Sequence, residues 1–119
     1  MNATKLDVFT LSYIETALWS STDDNGEPLD AVYGIDDIDD ASLQQMIDDC
    51  LLFQAEQCDH ISNEWEQAGH DFWLTRNWHG AGFWDGDWED EAGKRLTDAS
   101  HAYGECDLYI GDDGKVYII

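Results

Sequence analysis

Basic residues are nearly missing from this chain: five Lys and Arg stand against 27 Asp and Glu, a formal net charge of −22 over 119 residues. Clustered Lys and Arg are what grip the phosphates of DNA, RNA or an anionic membrane, so five scattered bases exclude direct binding to any of these. No apolar run approaches the roughly 18 residues that span a bilayer, and the segment MNATKLDVFT has neither the cationic nor the apolar region of a secretory signal. Cysteine is scarce too. Cys50, Cys58 and Cys106 are too few and too irregularly spaced for a disulfide framework, which points to a reducing, cytoplasmic setting. With one proline, no internal repeat and no low-complexity linker, residues 1–119 read as a single compact domain.

What is present argues for a folded protein. A hydrophobic fraction of 43%, with six Trp, five Tyr and four Phe, is too rich for an acidic disordered tail and suffices for one core. The charge is uneven. Between Lys5 and Arg76 lie 70 residues with 17 acids and no Lys or Arg, while the remaining 49 positions carry a net charge of only −5. Acids also stand side by side at Asp23/Asp24, Asp36/Asp37, Asp39/Asp40, Asp48/Asp49 and Asp112/Asp113. Neighbouring carboxylates repel and find few basic partners here, so packing elsewhere must offset them.

Patterning predicts an α+β fold, about three helices packed on a small antiparallel sheet of about four strands. Tyr13, Ile14, Ala17 and Leu18 lie at helical spacing in a short first helix over 10–20, with Ser12 and Glu15 in the form of a capping box. An acidic, turn-rich loop follows at about 21–39. From Asp40 to about Glu66 the residues Leu43, Met46, Ile47, Cys50, Phe53, Cys58, Ile61 and Trp65 recur every three or four positions, the signature of a long, central, amphipathic helix. Its polar face holds Gln45, Asp49, Glu56, Asp59, Asn63 and Glu66, with Asp48 and Glu64 at the flanks, and Ala68-Gly69 closes it. The aromatic segment 71–78, DFWLTRNW, and the following GAGFWDGDW read as a hairpin turning at His79-Gly80. Residues 89–103 read as a helix stopped by Gly104, and DLYIGDDGKVYII as a second hairpin about Gly-Asp-Asp-Gly.

No catalytic pattern emerges. His70, Asp71, Arg76 and His79 would make an acid-base group in an aromatic pocket, but no nucleophile with a positioned base accompanies them; an aromatic hairpin capping the long helix explains the segment more simply. The Asp85-Gly-Asp87-Trp-Glu89 stretch starts like a calcium loop, yet Asp90 stands where the sixth-position glycine belongs and no Glu closes the loop. Cys50 and Cys58 on one helix would lie about 12 Å apart, too far to share a zinc ion or a disulfide, so buried small hydrophobes are expected. Phosphate-binding glycine loops and hydrolase motifs are absent, and 27 acids offer so many carboxylate pairs that none is a signal. The reading is therefore of a non-enzyme without cofactor or metal.

The segments AGHDFWLTRNWHGAGFWDGDW and GECDLYIGDDGKVYI resemble a family of small uncharacterised proteins of phage and prophage genomes, the likeness covering about the last 50 residues well and the rest loosely. The resemblance implies a phage origin and carries no catalytic residue. A rigid face of carboxylates could stand in for DNA in a basic groove, as small acidic DNA mimics do against restriction enzymes and CRISPR effectors. The expectation is thus a DNA-mimic inhibitor of a host nucleic-acid-binding defence complex, acting in the host cytoplasm on a basic protein surface. Asp23, Asp24, Asp36, Asp37, Asp39, Asp40, Asp48, Asp49, Glu56 and Asp59 are its candidate partner-binding residues. A regulatory adaptor docking through the aromatic hairpin, with Trp78 and Trp84, is the alternative, and a generic salt-adapted acidic domain a further one.

Overall fold

The computed structural model describes residues 6–119 apart from 24, 62, 80 and 85–87. Among these, the architecture is α+β with four helices and one two-stranded antiparallel sheet: α1 (Val8–Ser20), α2 (Asp40–Ile61), α3 (Trp65–Arg76), α4 (Asp90–Ala102), β1 (Leu108–Ile110) and β2 (Val116–Ile118). Helix α1 starts at Asp7, whose carboxylate accepts the Thr10 N–H at 2.7 Å. The expected Ser12 and Glu15 cap is therefore not used. Ser12 lies inside the helix and donates its hydroxyl to the Glu66 carbonyl at 2.8 Å, tying α1 to α3.

The loop after α1 has two 3₁₀ turns, Leu29–Ala31 and Ile35–Asp37, pinned by buried Leu29 and Ile38. Ile38 bridges Val116 of β2, and Asp39 starts α2 by accepting the Ser42 N–H at 3.1 Å. The long helix then runs with Leu43, Met46, Cys50, Phe53 and Ile61 inward, as their spacing dictates. It ends at Ile61, short of Glu66, and Asn63 at φ 71° turns the chain back into α3. Cys58, counted with the apolar stripe by spacing, is exposed.

Helix α3 overturns the expected aromatic hairpin: residues 71–76 are its second half, and 82–84 form a bend and a turn, with Gly80 and 85–87 outside the described residues. The physical reason is burial on every side. From Ala68 to Arg76 only His70 is not buried, so the segment has no polar face and no helical period to read. Ala68-Gly69 lies inside this helix instead of ending the previous one. A Cβ on Gly69 would collide with the Phe9 carbonyl oxygen, so glycine permits the close crossing of α1 and α3. Around that crossing, Phe53 and Phe72 stack at 4.1 Å between centroids, with Phe9, Tyr13, Trp73, Phe83 and Tyr103 about them.

The C-terminal elements match expectation closely. Glu89 caps α4 by accepting the N–H groups of Glu91 and Ala92, and Gly104 at φ 78° follows its end. Strands β1 and β2 pair Leu108 with Ile118, Tyr109 with Tyr117 and Ile110 with Val116. Of the four strands expected, these two stand among the described residues. Among the described residues no helix is long and apolar enough to cross a membrane.

Candidate functional site

Arg76, the first base after the acidic stretch, is not on the surface. Its guanidinium is buried under α1, α2 and the end of α4, where Nε donates to the Gly104 carbonyl at 2.9 Å and Nη2 to the Tyr103 carbonyl at 3.1 Å. Nη1 donates to the Tyr13 hydroxyl at 3.0 Å and to Asp49 Oδ2 at 2.9 Å, and the cation lies over the rings of Phe72 and Tyr103. Burial disfavours the charge, but the surrounding acceptors, Tyr13 and the Asp49 carboxylate among them, raise its pKa above the ordinary value. Arg76 stays a cation and anchors three helices. Asp49 is correspondingly spent inside the molecule, its side chain only 18% exposed and also accepting from Gln45.

That arrangement explains how the acidic doublets are tolerated. In each doublet with both members described, one carboxylate accepts a hydrogen bond from a backbone N–H or from Arg76 and its neighbour is exposed to water; Asp37 and Asp113 are exposed as well, Asp39 and Asp49 half-buried. Asp37 accepts the Gly34 N–H within its own turn, beside exposed Asp36. Asp39 caps α2, beside exposed Asp40. Asp49 holds Arg76, beside Asp48, which is exposed and meets only the Gln44 amide at 2.9 Å. In the hairpin turn Asp113 accepts from the Tyr117 hydroxyl and the Lys115 N–H, beside exposed Asp112. Those hydrogen bonds, Tyr117 first, lower the Asp113 pKa and push Tyr117 up to about 12. Asp23 organises its loop through the N–H groups of Asn25 and Glu27; its neighbour Asp24 lies outside the described residues.

The outward acids run from the loop onto α2: Asp36, Asp40, Asp48, Glu56 and Asp59 are all exposed. Glu56 accepts from the Tyr103 hydroxyl at 3.3 Å, and burial together with that carboxylate pushes Tyr103 up to about 12. At 1.5 Å per residue, Asp40 and Asp59 are separated by about 28 Å along the helix axis. Helix α2 itself carries no Lys or Arg. The exposed bases among the described residues are Lys94 and Arg95 on α4, the latter paired with Glu91 at 3.2 Å, and Lys115 in the hairpin turn.

Asp71, buried in α3, accepts from Gln67 at 3.0 Å and from the Trp88 indole at 2.7 Å, with His70 Nδ1 at 3.1 Å. Of the four residues that would have formed an acid-base group, only His70 and Asp71 meet; Arg76 is committed elsewhere and His79 is exposed. A crevice of about 500 Å³ brings Cys106, His79 and Glu105 to one lining, but burial raises the Cys106 thiol pKa, the wrong direction for a nucleophile. Among the described residues no three His, Cys, Asp or Glu are placed to hold a metal ion. Trp78, at φ 59° past the end of α3, stacks on His101 at 3.7 Å yet is 65% exposed, and Trp84 is 56% exposed. No family model, curated protein or solved structure matches the chain.

Proposed function

We propose that this chain is a non-enzymatic, phage-encoded inhibitor that occupies the DNA-binding surface of a host nucleic-acid-binding defence complex, of restriction or CRISPR type, in the host cytoplasm. The observation that carries the reading is the division of the acidic doublets. Each described doublet in the base-free stretch keeps one carboxylate for the fold and presents the other to solvent, while Arg76 is withdrawn into the core. The result is a row of exposed carboxylates from Asp36 to Asp59, none of them in an ion pair among the described residues. Such a row attracts Lys- and Arg-lined grooves, gives fast association, and weakens steeply with salt.

Immobilised protein exposed to bacterial lysate at low salt, then eluted with a salt gradient, tests this. A DNA-binding complex should elute at moderate salt and be displaced by duplex DNA. Retention of partners with no dependence on salt or DNA contradicts the reading. One observation favours a second reading, a regulatory adaptor: Trp78 and Trp84 are both more than half exposed. In that case Trp78→Ala or Trp84→Ala, with folding verified, abolishes capture, whereas neutralising Asp36, Asp40, Asp48 and Asp59 leaves it intact.

A further inference from the structure

The outer arc of α2 is not purely acidic. Leu51 and Leu52 are 51% and 53% exposed in mid-helix, and Ala55, also exposed, lies one turn on. At 100° per residue, Leu51, Leu52 and Ala55 form one patch, with Asp48 one turn before it and Glu56 and Asp59 along its far rim. We propose that this patch is the centre of a docking surface for a basic protein, one whose Lys and Arg side chains rim an apolar pit that receives the two leucines. The proposal rests on the function proposed above and specifies the kind of surface its partner presents.

Two arguments favour that occupant. Over the roughly 28 Å from Asp40 to Asp59, one strand of B-form DNA places about eight phosphates. Helix α2 places four exposed carboxylates there. Charge alone is therefore sparser than in the polymer being imitated, and an apolar centre supplies affinity that salt does not screen. An apolar centre ringed by polar groups is also the common anatomy of protein interfaces. A second copy of this chain is the poorer occupant, because pairing the two patches would oppose Asp48, Glu56 and Asp59 to their own like charges in a molecule of net charge −22.

Two synthetic helical peptides of equal length and equal Lys content test the idea, one with a leucine stripe and one with serine in its place, titrated by fluorescence polarisation into the full chain. The leucine peptide should bind about tenfold tighter or better, an advantage that persists at high salt. Leu51→Ser combined with Leu52→Ser should erase that advantage and leave the serine peptide's affinity unchanged, with circular dichroism confirming the fold. Equal binding of both peptides, or an advantage that survives the double variant, overturns the docking surface while leaving the charge-based function standing. If neither peptide binds at low salt, both are overturned. Wild-type dimers in sedimentation that dissociate in the double variant also overturn it, assigning the patch to a second copy.

Discussion

Arg76 joins segments far apart in the chain, and its removal has consequences beyond one ion pair. Arg76→Ala strands the Asp49 carboxylate and withdraws the donors of the Tyr13 hydroxyl and of the Tyr103 and Gly104 carbonyls. We expect chemical denaturation to show a loss of about 3–5 kcal/mol, the range for breaking a buried charge pair from one side. Asp49→Asn keeps an acceptor oxygen and should cost less, about 1.5–3 kcal/mol, the range for a hydrogen bond to a charged group. Tyr103 gives a second prediction. Its folded pKa is raised to about 12 by burial and by Glu56, so the protonated phenol is favoured in the fold. That contribution is complete below pH about 10 and disappears as pH rises through about 12. Thermal melts across this window should fall less steeply for Tyr103→Phe than for the wild type; parallel declines would contradict the assignment.

Elements were legible in the sequence where one face of each met water. Leu43, Met46, Cys50 and Phe53 announce α2, the stop at Gly104 announces α4, and Gly111-Asp112-Asp113-Gly114 between β-rich runs announces the hairpin. Helix α3 was hidden because its second half is enclosed, leaving aromatic content as the only local cue and that cue favouring strand. The start of α1 differs from the expected one because the Ser12 pattern suits a cap, whereas Asp7 holds the Thr10 N–H earlier in the chain and Ser12 bonds the Glu66 carbonyl instead. The acidic candidates were readable as residues, but not their sorting. Helical spacing puts Asp49 on the outer face and Asp48 at its flank; the fold exposes Asp48 and half-buries Asp49, because Arg76, 27 residues onward, takes Asp49. Gly69→Ala tests the element packing directly. With Phe9 backbone in the way, it should destabilise by about 1–3 kcal/mol in urea titration, although alanine is the better helix former. A stabilised variant would mean that α1 and α3 can move apart freely.

Among the described residues the fold rests on its aromatic core and one buried cation, Arg76, while most carboxylates have no cationic partner. Melting temperature should therefore climb as salt rises from about 0.01 to about 1 M, where the screening length falls from about 30 to about 3 Å. A chain held together by surface ion pairs would show the opposite. The same charge is the basis of the proposed inhibition, and the sorting of the doublets separates its binding role from its structural one. Asp36→Asn, Asp40→Asn, Asp48→Asn and Asp59→Asn together alter the outward row and spare the carboxylates that hold Gly34, Ser42 and Arg76. The decisive measurement is displacement of labelled duplex DNA from a captured host complex. The wild type should release the DNA, with potency falling steeply as salt increases, and the fourfold variant should be at least about tenfold weaker while melting no lower. DNA that stays bound beside the protein, or is released equally well by the fourfold variant, would contradict the account.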